Sequence, residues 1–319
     1  MPDIKRTISA PKALLQLRDL AEEMIQLSGV LTGELRQVLE QKADEIKVNR
    51  SDLEGILKEL SPVTSPSSTI MNVKDGTQLM LIPEGEFLAG GLGKDEGGGE
   101  PFPVRLPAYY LAMYPVTNIQ YAQFLNQAQP CNSDLELWID LDSECFIRKT
   151  GSGYVAYRQR NDHPVVQVSW FGANAYAIWA SLRLPSELEW EKGARGVDGR
   201  QYPWGNVWKE SKCRNRNNRG SEKTCRVQNY PAGCSPWGLY QMSGNIWEWC
   251  QDWYDLHAYY RYRKGKLSPS PEGDYRVLRG ASWYENNTEE EFRGAYRGCD
   301  EPGDRYSIRG FRLAGAAAF

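Results

Sequence analysis

Two histidines, His163 and His257, and seven cysteines, at positions 131, 145, 213, 225, 234, 250 and 299, are the residues of this 319-residue chain with the most obvious metal or nucleophile chemistry. So few imidazoles exclude a His-rich metal site within one chain, and a Ser-His-Asp triad would have to recruit one of the two. His163 stands before Pro164-Val165-Val166, an extended entry to a strand, and His257 lies in a Tyr- and Arg-rich loop. Both read as structural. The cysteines are odd in number and form no CxxC pair, so in a reducing compartment they are expected as free thiols. The Gly-rich run from Gly90 to Gly99 resembles a phosphate loop only superficially. Lys94 is followed by Asp95 where Ser or Thr is required, and no helical pattern follows.

The residue types that remain suit recognition. From Arg276 to Ala314 the sequence alternates framework pieces (Arg279-Gly280-Ala281-Ser282-Trp283, Phe292-Arg293, Gly310-Phe311-Arg312-Leu313) with runs of Tyr, Asn, Asp, Gly, Ser and Cys. Residues of the second kind make poor cores and good contact surfaces. Tyr supplies rigid amphipathic area, and Ser, Gly and Asn supply adaptable hydrogen bonding. The preceding chain is then a scaffold that holds this stretch as a binding face.

The charge is nearly balanced, 38 basic against 41 acidic residues, which gives no electrostatic reason to expect a nucleic-acid or anionic-membrane partner. No apolar run approaches the roughly 20 residues that cross a bilayer, and the first residues lead into an amphipathic pattern with no signal-peptide core. A cytoplasmic location is expected. Residues 11–60 are helical by periodicity, with Leu14, Leu17, Ala21, Met24 and Ile25 marking a first helix and Leu35, Val38, Leu39 and Ile46 a second. Ser51 with Glu54 offers a capping box for a third. The Pro/Ser-rich stretch that follows cannot continue a helix or pair as a strand. The expected division is a helical module over 1–62, a linker over 63–70 and a main domain over 71–319. In that domain Leu79–Ile82 reads as a strand, Pro83-Glu84-Gly85 as a turn and Glu86-Phe87-Leu88 as its return. Helices are expected after Thr117, after Ser169, and from Pro185, where Ser186 and Glu189 form a second capping box. Beyond Tyr202-Pro203-Trp204-Gly205 the aromatic-rich turns and short strands fit neither a helical bundle nor a βαβ sheet. They fit an irregular α+β fold with long ordered loops.

The main domain resembles the formylglycine-generating enzyme (sulfatase-modifying factor) family, a variant of the C-type lectin fold. The residues that carry the resemblance are Ile82–Phe87 (IPEGEF), Tyr114–Asn118 (YPVTN), His163–Trp170 (HPVVQVSW), Arg183–Glu191 (RLPSELEWE), Tyr202–Gly205 (YPWG), Gly244–Trp249 (GNIWEW) and Gly310–Arg312 (GFR). Seven motifs in order over about three quarters of the chain imply a C-type lectin-like domain preceded by a small all-α segment. The resemblance also implies an active site. Family members that oxidise a substrate cysteine place one cysteine shortly after the Gly-Ser-Trp/Tyr turn and another about five residues later. Here those positions fall at Glu285 and at Glu289 or Glu290. Carboxylates are hard ligands and cannot supply the thiolates that copper(I) requires, so no copper is expected. The iron-dependent relatives use histidines that this chain lacks.

A second branch of the fold fits better, the variable proteins of diversity-generating retroelements, in which adenine-directed mutagenesis rewrites the C-terminal part of the domain. The residues between framework pieces include Tyr284, Asn286, Tyr296, Gly298, Cys299, Asp300, Asp304, Tyr306, Ser307 and Ile308. Each is reachable from an asparagine codon by altering only adenines, and Glu285 is reachable from a lysine codon. Arg297, Pro302, Arg305 and Gly310–Arg312 stand where such proteins keep their frame, and the C-terminal placement also agrees. Ala281 departs from the usual Gly, and Arg309 from a small aliphatic residue. This reading makes Tyr284, Tyr296 and Tyr306 the energetic anchors for an unidentified protein or other macromolecule. Glu285, Arg293, Asp300, Asp304 and Arg309 would set its polarity, while Trp283, Phe292, Phe311 and Leu313 anchor the backbone. The helical module would couple binding to an effector partner. A fixed sensor domain of the family and a surviving oxidoreductase stay open as alternatives. The resemblance further implies a structural calcium ion held by carbonyl oxygens near Gln241, Gly244 and Ile246 together with the Glu248 carboxylate, with a second site in the region of Asn215 to Asn218.

Overall fold

The computed structural model describes residues 13–21, 33–53, 56, 68–284 and 289–317. Two compact units divide the chain, Met1–Ser65 and Pro66–Phe319. In the first unit residues 13–21 are helical, α1 spans Gly33–Glu45, and a further turn runs through residues 50–53. Ala13, Leu17, Ala21, Leu39, Ala43, Val48, Leu53 and Ile56 form its core, the apolar spacing that the periodicity requires. One expectation is corrected. The third helix is capped by Asn49, whose Oδ1 accepts from the Asp52 amide at 2.9 Å, and not by Ser51, which already lies within the helix. Glu54 lies outside the described residues.

The second unit is α+β. Its strands are β1 (Thr69–Met71), β2 (Gln78–Ile82), β3 (Gly85–Ala89), β4 (Phe102–Leu106), β5 (Tyr109–Ala112), β6 (Ile147–Thr150), β7 (Gly153–Ala156), β8 (Trp247–Trp253), β9 (Arg276–Arg279), β10 (Arg297–Asp300), β11 (Arg309–Gly310) and β12 (Ala314–Ala316). Among the described residues they form two four-stranded sheets, ordered β1-β2-β5-β12 and β10-β9-β8-β11, and two hairpins, β3-β4 and β6-β7. β11 runs parallel to β8, and the other pairings are antiparallel. Two sequence expectations change. β1 begins at Thr69, inside the expected linker, because Thr69 and Ile70 pair with Met80 and Leu79. The expected hairpin across Pro83–Gly85 does not form either. β2 pairs with β1 and β5, while β3 pairs with β4, so the turn redirects the chain into another layer.

Five helices pack on this frame: α2 (Asn118–Ala128), α3 (Asn132–Trp138), α4 (Trp170–Trp179), α5 (Glu187–Arg195) and α6 (Ala258–Tyr262). The starts of three were legible. Thr117 precedes α2 with Gln120 completing the box, Ser169 accepts from the Gly172 amide at 3.0 Å, and Ser186 and Glu189 exchange bonds at 3.2 and 2.8 Å. α3 and α6 are too short to show a period and went unread. An aromatic cluster centred on Tyr121, Phe124, Tyr176 and Phe311 fills the space between α2, α4 and the C-terminal chain, with ring centroids 5.2–6.2 Å apart.

Candidate functional site

The segment 276–314 is built on charges that face inward. Glu187 and Glu191 sit one turn apart on α5, so both project from one face. Arg279, at the end of β9, donates from Nη1 to Glu187 at 3.3 Å and from Nη2 to Glu191 at 3.1 Å. It also reaches the carbonyls of Gly294 and Ala295 at 2.6 and 3.0 Å, which fixes the return of the chain. Arg297 on β10 donates to both oxygens of Glu187, at 2.5 and 2.9 Å. Burial pushes the Glu191 carboxyl up, but Arg279 and Arg195 beside it outweigh that and hold it below its ordinary range.

Arg312 performs the same task between the two large sheets. Residues 311–313 pass from β11 in one sheet to β12 in the other. The guanidinium donates to Glu248 on β8 at 2.5 and 2.7 Å, to the Ala112 carbonyl on β5 at 2.9 Å and to the Tyr240 carbonyl at 2.8 Å. Arg279 and Arg312 are fully buried, and Arg297 nearly so. Trp283, Phe292, Phe311 and Leu313 are buried as expected. A Cβ at Gly310 would lie 2.4 Å from the Val165 carbonyl oxygen, so the close approach of β11 to that segment requires glycine. Ala281 adopts φ 60°, the left-handed region where glycine costs least. The substitution of Ala for the usual Gly is therefore strained but fully buried.

Between these anchors the residues turn outward. Tyr284 and Tyr306 are 52% and 49% exposed. Cys299 is exposed, and Gly298, Asp300, Asp304, Ser307, Ile308 and Arg309 are half-buried. Backbone bonds pin this ribbon to the scaffold: the Gln167 amide donates to the Tyr306 carbonyl (3.1 Å), that of Trp170 to Pro302 (3.0 Å) and that of Trp247 to Ile308 (2.8 Å). Trp283 Nε1 donates to the Ser307 carbonyl at 3.2 Å. Arg305 contacts the Glu136 carbonyl. Glu285 and Asn286 lie outside the described residues.

Four expected face residues carry more structural duty than their types suggest. Tyr296 is half-buried against the core, 6.1 Å from the Trp247 ring, so it is no free anchor. A Cβ at Gly298 would meet the same Trp247 ring at 3.0 Å, and a larger residue there requires the ring to give. Arg293 pairs with the buried Glu96 at 3.2 Å and lines a cavity of about 410 Å³ with Leu92, Glu100 and Arg195. Arg309 lies 4.0 Å over the Tyr306 ring and pairs with Asp300 and, at 3.6 Å, with Asp304. Charges expected to face a partner are thus partly neutralised among themselves.

The expected calcium set does not fit. Both oxygens of Glu248 accept from Arg312, and Oε2 also accepts from Trp190 Nε1 at 2.7 Å. Calcium would have to take that carboxylate from a buried arginine. Of the backbone carbonyls expected to join it, that of Gly244 already accepts from the Ile246 amide at 3.1 Å. Near Asn215–Asn218 a cation of the protein's own is in place. Arg214 donates to the carbonyls of Asn218, Arg219, Glu222 and Lys223 at 2.8–3.3 Å. No group of three or more His, Cys, Asp or Glu residues is placed to hold a metal ion among the described residues. At the position expected for the second cysteine of the enzyme family, Glu289 and Glu290 are exposed carboxylates. Cys145, Cys213 and Cys225 are buried thiols, pushed up to about 12 by burial, which makes them poor nucleophiles.

Sequence reasoning missed the partners of the frame. The repeated arginines of segment 276–314 and the Glu187/Glu191 spacing in one motif were both visible, but only the fold brings them together. It also missed the loop at 214–226, whose Arg219 and Lys223 lie 4.9 and 5.9 Å over the Trp283 ring.

A family model, the sulfatase-modifying factor enzyme 1-like domain, matches residues 66–317. The chain belongs to that family. It is 37% identical over 252 residues to the serine/threonine-protein kinase Pkn1 of Chlamydia trachomatis, covering 75% of this chain and 38% of that protein. The chain therefore matches well under half the length of its chlamydial relatives. It is 32% identical over 286 residues to the formylglycine-generating enzyme of Thermomonospora curvata, covering 74% of this chain and 92% of that enzyme. The fold is that of Treponema denticola variable protein 1, with a TM-score of 0.54, 23% identity, and coverage of 78% of this chain and 98% of that one. Among the described residues no helix is long and apolar enough to cross a membrane.

Proposed function

We propose that this family member is a non-catalytic binding protein whose segment 276–314 is a contact surface diversified by a retroelement. The observation that carries the reading is the division of burial along one ribbon. Residues 277–283, 310–314 and Arg297 are buried, whereas every described residue named for the face is at least partly exposed. Such a ribbon can change its outward side chains while the ion pairs and aromatic anchors beneath keep its path. Tyr284 and Tyr306 are the anchors for a partner, and Asp300, Asp304 and Arg309 shape the charge around Tyr306. The partner is a protein or other macromolecule, and near-balanced charge argues against nucleic acid or a membrane. The helical unit over 1–62 would carry an effector partner, in the cytoplasm.

A second reading, an oxidoreductase of the family, draws support from the 32% identity to a formylglycine-generating enzyme across 92% of that enzyme. Carboxylates at both expected cysteine positions oppose it. The kinase name of the chlamydial relatives belongs to proteins most of whose length has no counterpart here.

Sequencing the DNA beside the gene tests the proposal. The expected result is a near-copy of the codons for 276–314 that differs only at adenines, close to a reverse transcriptase gene. Absence of that repeat overturns diversification and leaves a fixed binding domain. Copper-dependent loss of thiol from a cysteine-containing peptide would restore the enzyme.

A further inference from the structure

Most buried arginines of the main unit are paired with a carboxylate: Arg279 and Arg297 with Glu187, Arg195 with Glu191, Arg312 with Glu248. One cleft breaks that pattern. It has a volume of about 330 Å³ and lies between residues 159–163 and 222–229. Arg160, Arg214 and Arg226 line it together with His163, Thr224 and a single carboxylate, Glu222. Glu222 pairs with Arg160. Neither Arg214 nor Arg226 has a carboxylate partner among the described residues. Arg214 is only 8% exposed and is held by backbone carbonyls along the loop at 218–223, with the Tyr230 hydroxyl beside it and no carboxylate. Its position is fixed while its charge stays uncompensated.

We propose that this cleft binds a small oxyanion, a carboxylate or phosphate group, through Arg160, Arg226 and Thr224, with Arg214 supplying a fixed charge behind them. The residues lining the cleft carry three guanidinium groups against one carboxylate, an excess of positive charge that attracts an anion. Guanidinium groups are the side chains best matched to oxyanions. His163 reports the same field. Its Nδ1 lies 2.9 Å from the Thr224 hydroxyl, and burial, followed by Arg160, Arg226 and Arg214, lowers it to about 4 against the opposing pull of Glu222. Burial is the first cause of that shift, and the arginines, only partly balanced by Glu222, add to it, so an anion that enters the cleft raises the affinity of the ring for a proton. None of the cleft residues belongs to segment 276–314, so the proposal stands or falls independently of diversification.

The chain contains only two histidines, which makes proton NMR of their rings a direct assay with an internal control. Titration with inorganic phosphate, and separately with acetate, is expected to move the His163 resonance and raise its titration midpoint by about a unit or more, while His257 stays fixed. A response to acetate alone assigns a carboxylate ligand, and a response to phosphate assigns a phosphate. R226Q removes an exposed side chain and leaves folding intact. It is expected to raise the His163 midpoint in buffer alone and to weaken anion binding about tenfold. The proposal is overturned if neither anion moves His163, if sodium chloride at equal ionic strength moves it as much, or if R226Q responds like the parent.

Discussion

The frame and the face of segment 276–314 are interleaved in sequence, yet they obey opposite rules. The large and charged frame residues Arg279, Trp283, Phe292, Arg297, Phe311, Arg312 and Leu313 are buried. Their arginines meet carboxylates and backbone carbonyls in a low-dielectric interior, where each partner is costly to leave alone. Face residues touch mainly solvent, each other and the edge of the core. Removing a frame residue strands its partner, whereas removing a face residue leaves little behind. This asymmetry lets one ribbon combine a fixed path with changeable chemistry.

The largest test of the comparison is Arg312→Met. It leaves Glu248 buried without its cation and unties the two sheets, at an expected cost of about 3–5 kcal/mol, read as a fall in the denaturant midpoint. Unchanged stability would mean that the buried pairs are not what holds the frame. Trp283→Ala removes a buried ring and should cost roughly 3 kcal/mol, with binding lost alongside stability.

Asp252 sharpens the frame's electrostatics. Burial, reinforced by Glu187, raises its carboxyl to about 7, although it accepts from the Glu187 amide at 2.8 Å. An acid whose folded value is raised contributes stability that is fully present below its unfolded value, near 3.8, and is lost as pH rises through about 7. Asp252→Asn keeps an acceptor oxygen and should flatten that decline, giving a variant more stable than the parent by at least about 1 kcal/mol at pH 8. A parallel pair of stability curves would show that Asp252 titrates normally.

The finest test divides the face itself. Tyr296→Ala should lower stability by roughly 1–2 kcal/mol, since half of its ring packs on the core. Tyr306→Ala should change the melting temperature hardly at all, within about 0.5 kcal/mol, and should alter partner binding. Equal losses for both would erase the boundary drawn between frame and face.

Much of this was readable in advance for identifiable reasons. Ser169 and Ser186 announced helices because capping is local chemistry, and Trp283, Phe292, Phe311 and Leu313 are types that water excludes. Pairings between distant segments leave no such local mark. The Pro83–Gly85 turn looked like a hairpin because a turn says that the chain reverses, not which strand receives it. Glu248 has the residue type of a calcium ligand, and its partner Arg312 lies 64 residues away in sequence. Tyr296 looked like Tyr306 because nothing nearby in sequence reveals Trp247 behind it.

The sequence by itself determined the division into a helical module and an irregular α+β domain, and the alternation of anchors and outward residues. Those are properties of residue type and short spacing. Only the tertiary structure decided which carboxylate each arginine meets, which tyrosines are free, and that Arg160, Arg214 and Arg226 share one cleft. Such facts depend on pairings between distant segments, and a residue's chemistry depends on the partner that folding places within a few ångströms of it.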